Sequence, residues 1–231
     1  YHLFWMWRES PDALSNNTLS YARSSDLAHW ETSMGKPIKL PITRATGEVI
    51  DPAKPGEGLI NMCYALGFDA RHRPVAVYHR FDASGHSQAF AARPDADGKW
   101  QVTQLSDWNF RWDFSGGGSQ VRQVRLGKPV ADQSGNLLVE FSTREAGSGR
   151  WRLDGGTLEV LEVLPSKPTD LPGKFNKSVS DFPGMGVRTA VSNDGDTRWM
   201  LRWETLGPNR DLENREVPVP GELRLFEFRK R

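Results

Sequence analysis

The clearest alternation of apolar and polar positions lies between Phe68 and Trp100. Asp69 opens a tight turn, and Pro74 starts a strand through Val75, Ala76, Val77, Tyr78, His79 and Arg80. Asp82-Ala83-Ser84-Gly85 turns the chain, and Gln88 to Arg93 forms the next strand. Asp95-Ala96-Asp97-Gly98 turns it again, and Lys99-Trp100 begins another. Short strands separated by Asp/Gly turns, with no helical run between them, predict an antiparallel meander.

The same reading extends over the rest of the chain. Residues 2–8 form an aromatic, apolar strand, 9–17 a polar surface loop and 18–24 a returning strand. Ser24 to Trp30 makes a turn in which Ser and Asp side chains can bond the local amides. Gly35 to Gly58, with Pro37, Pro41, Pro52 and Pro55, reads as one long connection. In Ser106 to Ser119, four aromatic residues stand beside Gly116-Gly117-Gly118, which predicts an irregular, tightly packed loop. Strands follow at 120–126, 136–143, 157–163, 187–192, 197–204 and 223–228, with a second Pro/Gly-rich connection from Lys167 to Gly186 and a polar loop from Gly207 to Pro220.

The hairpins recur. Trp7, Tyr78, Phe141 and Trp203 each close a strand, at spacings of 71, 63 and 62 residues, and Asp69, Asp132 and Asp194 keep the later spacings in the turns before them. A four-stranded unit of about 40–60 residues is the size of a propeller blade. The expected fold is all-β: a β-propeller of four-stranded antiparallel blades, approximately 1–57, 58–118, 119–180 and 181–231, with the first incomplete. Blades bury their faces against neighbours, and the chain opens on what reads as the middle of a strand. The expectation is therefore either four blades closed on themselves or roughly the C-terminal half of a larger ring; the mid-strand opening favours the second, with N-terminal blades of the same protein as its partners.

Composition narrows the function classes. The 30 basic and 29 acidic residues balance, which argues against a nucleic-acid binder working through a uniform basic surface. No apolar run has the length of a membrane span, so no membrane partner is expected. The single cysteine, Cys63, excludes an internal disulfide and sits in an apolar run that predicts a buried thiol. Nine Trp in 231 residues suit sheet packing, and also surfaces that stack on sugar rings. No pairing of His with acidic residues has metal-ligand spacing; no cofactor is expected, and a structural metal ion is left open.

Several stretches together resemble a known family: FWMWRESPDALSNNTLSYARSSDLAHWE (4–31), PIKLPIT (37–43), Gly58-Leu59-Ile60-Asn61, GFDARHRPVAVYHRFDASGHSQ (67–88), SDWNFRWDFSGGGS (106–119) and RWETLGPNRD (202–211). They are similar to BNR-repeat propeller proteins that include the ulvan-lyase-like seven-bladed polysaccharide lyases. The resemblance implies a seven-bladed ring, a secreted or periplasmic location and an acidic polysaccharide or oligosaccharide as partner. The implied reaction is β-elimination on a uronate-containing glycan, with catalytic His, Tyr and Arg mainly from blades preceding Tyr1. The rivals are a non-catalytic carbohydrate-binding or scaffold propeller and a glycoside hydrolase, since fold does not fix function.

Arg8, His79, Ser142 and Glu204 follow the four strand-closing aromatics and would converge if the units are equivalent. Positioned imidazoles carry protons near neutral pH, which makes His79 the catalytic candidate. Alternation alone, which sends every second residue to the opposite face, equally explains all four positions; for Ser142 and Glu204 it is the preferred reading. Substrate-binding candidates are Arg8, Asn17, Asn61, Arg80, Arg111 and Trp112: Arg for a carboxylate, Asn for sugar hydroxyls, Trp112 for stacking. Arg111 between Phe110 and Trp112 also reads as a structural plug. Gly116-Gly117-Gly118 reads as a chain reversal, and Arg229-Lys230-Arg231 as a solvated end.

Overall fold

A computed structural model describes residues 1–167, 173–213 and 216–229. Lys230 and Arg231, read above as part of a solvated end, and residues 168–172 of the second Pro/Gly connection lie outside the described residues. The described chain is all-β, with two short 3-10 turns and three sheets. It divides into two compact units, one of Tyr1–Gly117 with Arg122–Lys167, the other of Gly118–Val121 with Pro168–Arg231.

In the first unit, β1 (His2–Arg8) pairs antiparallel with β2 (Asn16–Arg23), which continues to β3 (Trp30–Glu31) and β4 (Pro37–Ile38). β5 (Glu48–Asp51) also pairs with β2. Two of these strands lie inside the stretch expected to be one long connection. The local pattern around β5 is obscured by Pro and Gly, but Glu48 still reaches across to Ser33 and to the Trp100 indole (2.9 Å).

The second sheet contains the predicted meander: β6 (Tyr64–Phe68), β7 (Pro74–Phe81), β8 (Ser87–Pro94) and β9 (Trp100–Gln104), each antiparallel to the next. A further meander follows, in which β10 (Val124–Leu126) and β11 (Val130–Ala131) both pair with β12 (Leu137–Thr143), followed by β13 (Ser148–Leu153) and β14 (Val160–Leu164). The expected strand at 120–126 is shortened to β10 because its partner, β12, ends at Thr143 opposite Val124. One parallel pairing, Val130 with Phe68, joins the two meanders into a single sheet. There Gly67 lies so close to Pro129 that an added Cβ would sit 2.1 Å from its carbonyl oxygen.

The hairpin turns repeat one device. At Asp69, Asp82, Asp95 and Asp132 the residue's amide donates to the carbonyl four residues on, and its Oδ1 accepts the amides two and four residues on. The fourth position has positive φ and is Gly85, Gly98, Gly135 or, once, His72 at 58°. Aspartate thus replaces solvent for the turn amides, and glycine supplies the left-handed step.

β7 is buried on both faces, apart from half-buried Arg80. Ala76 and Tyr78 pack with Leu19, Tyr21 and Ile50 of the first sheet, while Val75 and Val77 pack with Leu137, Val139 and Leu153 of the β10–β14 meander. Asp69 fastens the latter contact. Besides its turn amides it accepts from Arg73 Nε (2.8 Å) and Arg93 Nη1 (3.2 Å), and Arg93 also donates to the carbonyls of Gly155 (2.7 Å) and Gly156. Burial pushes the Asp69 carboxyl up, but the Arg73 and Arg71 amides and the Arg73 charge outweigh it, so it ionises below the ordinary range.

In the second unit, β15 (Met185–Asp194), β16 (Thr197–Leu206) and β17 (Arg224–Arg229) form a three-stranded antiparallel sheet. Glu204 accepts the amides of Val179 and Ser180, the Ser178 hydroxyl and the Arg202 guanidinium. Those bonds lower its carboxyl to about 2.

Asp69→Asn is expected to destabilise the protein by about 3–5 kcal/mol, because it leaves the buried Arg93 charge without its partner. Urea unfolding would show this as a lower midpoint; a loss under about 1 kcal/mol would mean that the ion pair is not what joins the meanders.

Candidate functional site

The stretch from Ser106 to Phe114 makes no ladder of its own and is held by side chains of β8. Gln88 accepts from the Ser106 hydroxyl (2.6 Å) and the Trp108 amide (3.0 Å) and donates to the Trp108 carbonyl and Asp82. Ser87 accepts the Trp112 amide at 2.8 Å, and its own amide donates to the Phe110 carbonyl. This fixes Arg111 over the turn that follows β7, where its guanidinium stacks 3.7 Å from the Phe81 ring centroid and donates to the Gly85 carbonyl at 2.7 Å.

Arg111 and Arg80 line one hollow of about 510 Å³ together with Glu57, Asp82, Gly85, Phe90 and Gln104. Arg80 lies 4.6 Å over the Phe90 ring and 3.4 Å from Asp51, which also accepts the Tyr78 hydroxyl at 2.6 Å. Each guanidinium is thus stacked on a phenyl face, which fixes its plane without consuming all its donors. Asp82 is held by its turn amides and Gln88, and its carboxyl is lowered by those bonds against the opposing effect of burial. Glu57 accepts the Lys54 amide.

The other candidates do not gather there. His79 is fully buried. Its Nδ1 lies 2.7 Å from the Gly58 carbonyl, so Nδ1 carries the proton, while Nε2 has no hydrogen-bond partner. Phe81, Trp112 and Phe114 surround the ring edge-on. Burial lowers its pKa to about 4, the Gly58 bond opposing and Arg111 adding to the shift. Gly58 is required there, since its φ is 89° and a Cβ would meet Phe81 at 2.6 Å. Trp112 is 1% exposed and presents no ring face to a sugar.

Arg8 is exposed and binds its own loop through the Ser10 and Pro11 carbonyls. Asn17 is buried and donates to Glu9 (3.2 Å) and the Ser15 carbonyl (3.0 Å), whereas Asn61 is exposed in the turn before β6. None of the strand-end set Arg8, His79, Ser142 and Glu204 lines this hollow; of the substrate-binding candidates it gathers Arg80, the neighbour of His79, and Arg111 from the irregular segment. Glu57 and Gln104 had no signal in the sequence that marked them. Cys63 is buried as expected, and burial pushes its thiol up to about 12. Among the described residues, no group of three His, Cys, Asp or Glu side chains could hold a metal ion.

The meanders and their recurring turns define an all-β protein of propeller-type sheets. Residues 1–108 match the model of a BNR repeat-containing family member, which supports the BNR-repeat resemblance over that part of the chain and a carbohydrate-related propeller. No curated protein matches the chain.

His79 favours its neutral form in the folded state, so its contribution to stability is complete above pH 6.5 and is lost as pH falls toward 4. The loss amounts to about 3 kcal/mol at most. His79→Phe is expected to remove that part of the pH dependence while costing stability at pH 7 through the unpaired Gly58 carbonyl. Denaturant titrations at several pH values on both proteins would check this; parallel curves would place the imidazole in contact with water.

Proposed function

We propose that this chain binds an acidic glycan and that the hollow between Arg80 and Arg111 receives a sugar carboxylate. The observation that carries the reading is the pair of guanidiniums, each stacked on a phenylalanine, lining one hollow. Arginine offers a planar, permanently charged fork that matches a carboxylate. Asp82, Glu57 and Gln104 add acceptors of the kind that sugar hydroxyls donate to. Acceptors of negative charge among the cations favour a singly charged sugar acid over a polyphosphate, which they would repel.

A lyase-like β-elimination is the finer reading, following the BNR-repeat resemblance. In that reaction a base removes the proton next to the carboxylate, a carbon–carbon double bond forms and the leaving oxygen takes a proton. The guanidiniums would stabilise the carboxylate as charge develops beside it. His79 and Tyr78 are fully buried and line no part of the hollow. Binding without reaction is the alternative, and it needs only the geometry above.

Arg111→Ala is the informative substitution, because Arg111 is exposed and lies outside the core. It is expected to weaken binding of uronate oligosaccharides roughly 10- to 100-fold, the range of a lost charge-assisted contact, with an unchanged circular-dichroism spectrum. Calorimetric titration with uronate and neutral oligosaccharides would measure it. Equal affinity for both sugars, or for both proteins, would refute the reading. Ultraviolet absorbance from an unsaturated product would separate elimination from binding alone.

A further inference from the structure

A second hollow, of about 390 Å³, lies in the meander of β10 to β14. It occupies the corresponding strand ends: Glu140, Phe141 and Ser142 near the end of β12, and Ser148 and Gly149 at the start of β13. The first hollow likewise uses the end of β7 and the turn into β8. Arg125, Leu126 and Gly127, with Ser166 and Lys167 after β14, complete the lining.

The chemistry of this lining is that of a sugar site. Phe141 is half-buried and stacks on Trp151 at 4.1 Å, which holds its ring in place. Ser142, Ser148 and Ser166 bring hydroxyls, with Ser166 donating to Ser148 at 3.0 Å. Lys167 brings an ammonium and Glu140 a carboxylate. An aromatic ring for the apolar face of a sugar, hydroxyls for its own hydroxyls and the Lys167 ammonium for an acid group are present together.

The two hollows flank one segment. Trp108 sits 6.2 Å from Phe141, ring to ring, and Arg111 lines the first hollow three residues further on. At most about 11 Å of chain separates their Cα atoms, and Ser87 and Gln88 hold the whole stretch to β8. We propose that the second hollow is a further subsite for the acidic glycan bound at the first, taking another acidic unit of the same chain. This rests on the reading of the first hollow given above.

The test is calorimetry with uronates graded from monosaccharide to hexasaccharide, on three variants of the full chain. Lys167→Ala removes a cation, Ser142→Phe fills the hollow, and Arg111→Ala reports on the first site. The expected result is that the Lys167 and Ser142 variants lose roughly tenfold in hexasaccharide affinity, the worth of one charge-assisted contact, and leave the monosaccharide unchanged. Arg111→Ala should weaken both ligands. Hexasaccharide binding weakened only by Arg111→Ala would overturn the second subsite and leave the first standing. Equal losses on both ligands in the Lys167 variant would overturn the assigned order of the sites. Binding indifferent to every variant, or absent, would overturn both.

Discussion

One buried carboxylate, Asp69, carries two jobs. It closes the turn between β6 and β7 by accepting two amides, and it neutralises Arg93, which grips the Gly155 and Gly156 carbonyls beyond β13. Desolvated charges are costly unless paired and hydrogen-bonded, so this arrangement has few tolerable alternatives. It also explains how two meanders joined by one parallel residue pair keep a fixed packing. The apolar faces provide the attraction, but the ion pair sets where they meet.

Once that packing is fixed, β7 has no solvent face. Ala76, Tyr78 and Arg80 meet the first sheet, and the odd-numbered residues the β10–β14 meander or the aromatic cluster of Trp112 and Phe114. That settles the place of His79. An imidazole in this position can satisfy one nitrogen on Gly58 and stays neutral, whereas Arg80, one residue on, reaches the rim at the point where β7 leaves the core. The boundary between structure and site runs between adjacent residues.

Those facts also mark what the sequence could disclose. The meander from Phe68 to Trp100 was legible because each strand is bracketed by an Asp/Gly turn whose geometry is local. β5 was not, since its pairing with β2 depends on residues far along the chain, amid prolines that normally signal a connection. Arg80 and Arg111 were recognisable as candidate carboxylate ligands by type. Their meeting was not, because the segment bearing Arg111 is positioned by Gln88 and Ser87 rather than by a ladder. Trp112 illustrates the converse: its amide is anchored to Ser87 and its ring fills the core, though composition alone made it a plausible sugar platform. Glu57 and Gln104 carry no local pattern at all.

The irregular stretch from Ser106 to Phe114 is where the fold passes into the proposed site. Backbone ladders would force alternate side chains to opposite faces. A segment tied by side-chain bonds escapes that rule, so Trp112 and Phe114 can enter the core while Arg111 turns outward over Phe81. The cost is that the guanidinium's position depends on a few hydrogen bonds from Ser87, Gln88 and Ser106, all of them buried. In that setting each bond is hard to exchange for water, and the polar network that looks incidental in the core holds the proposed carboxylate ligand in place.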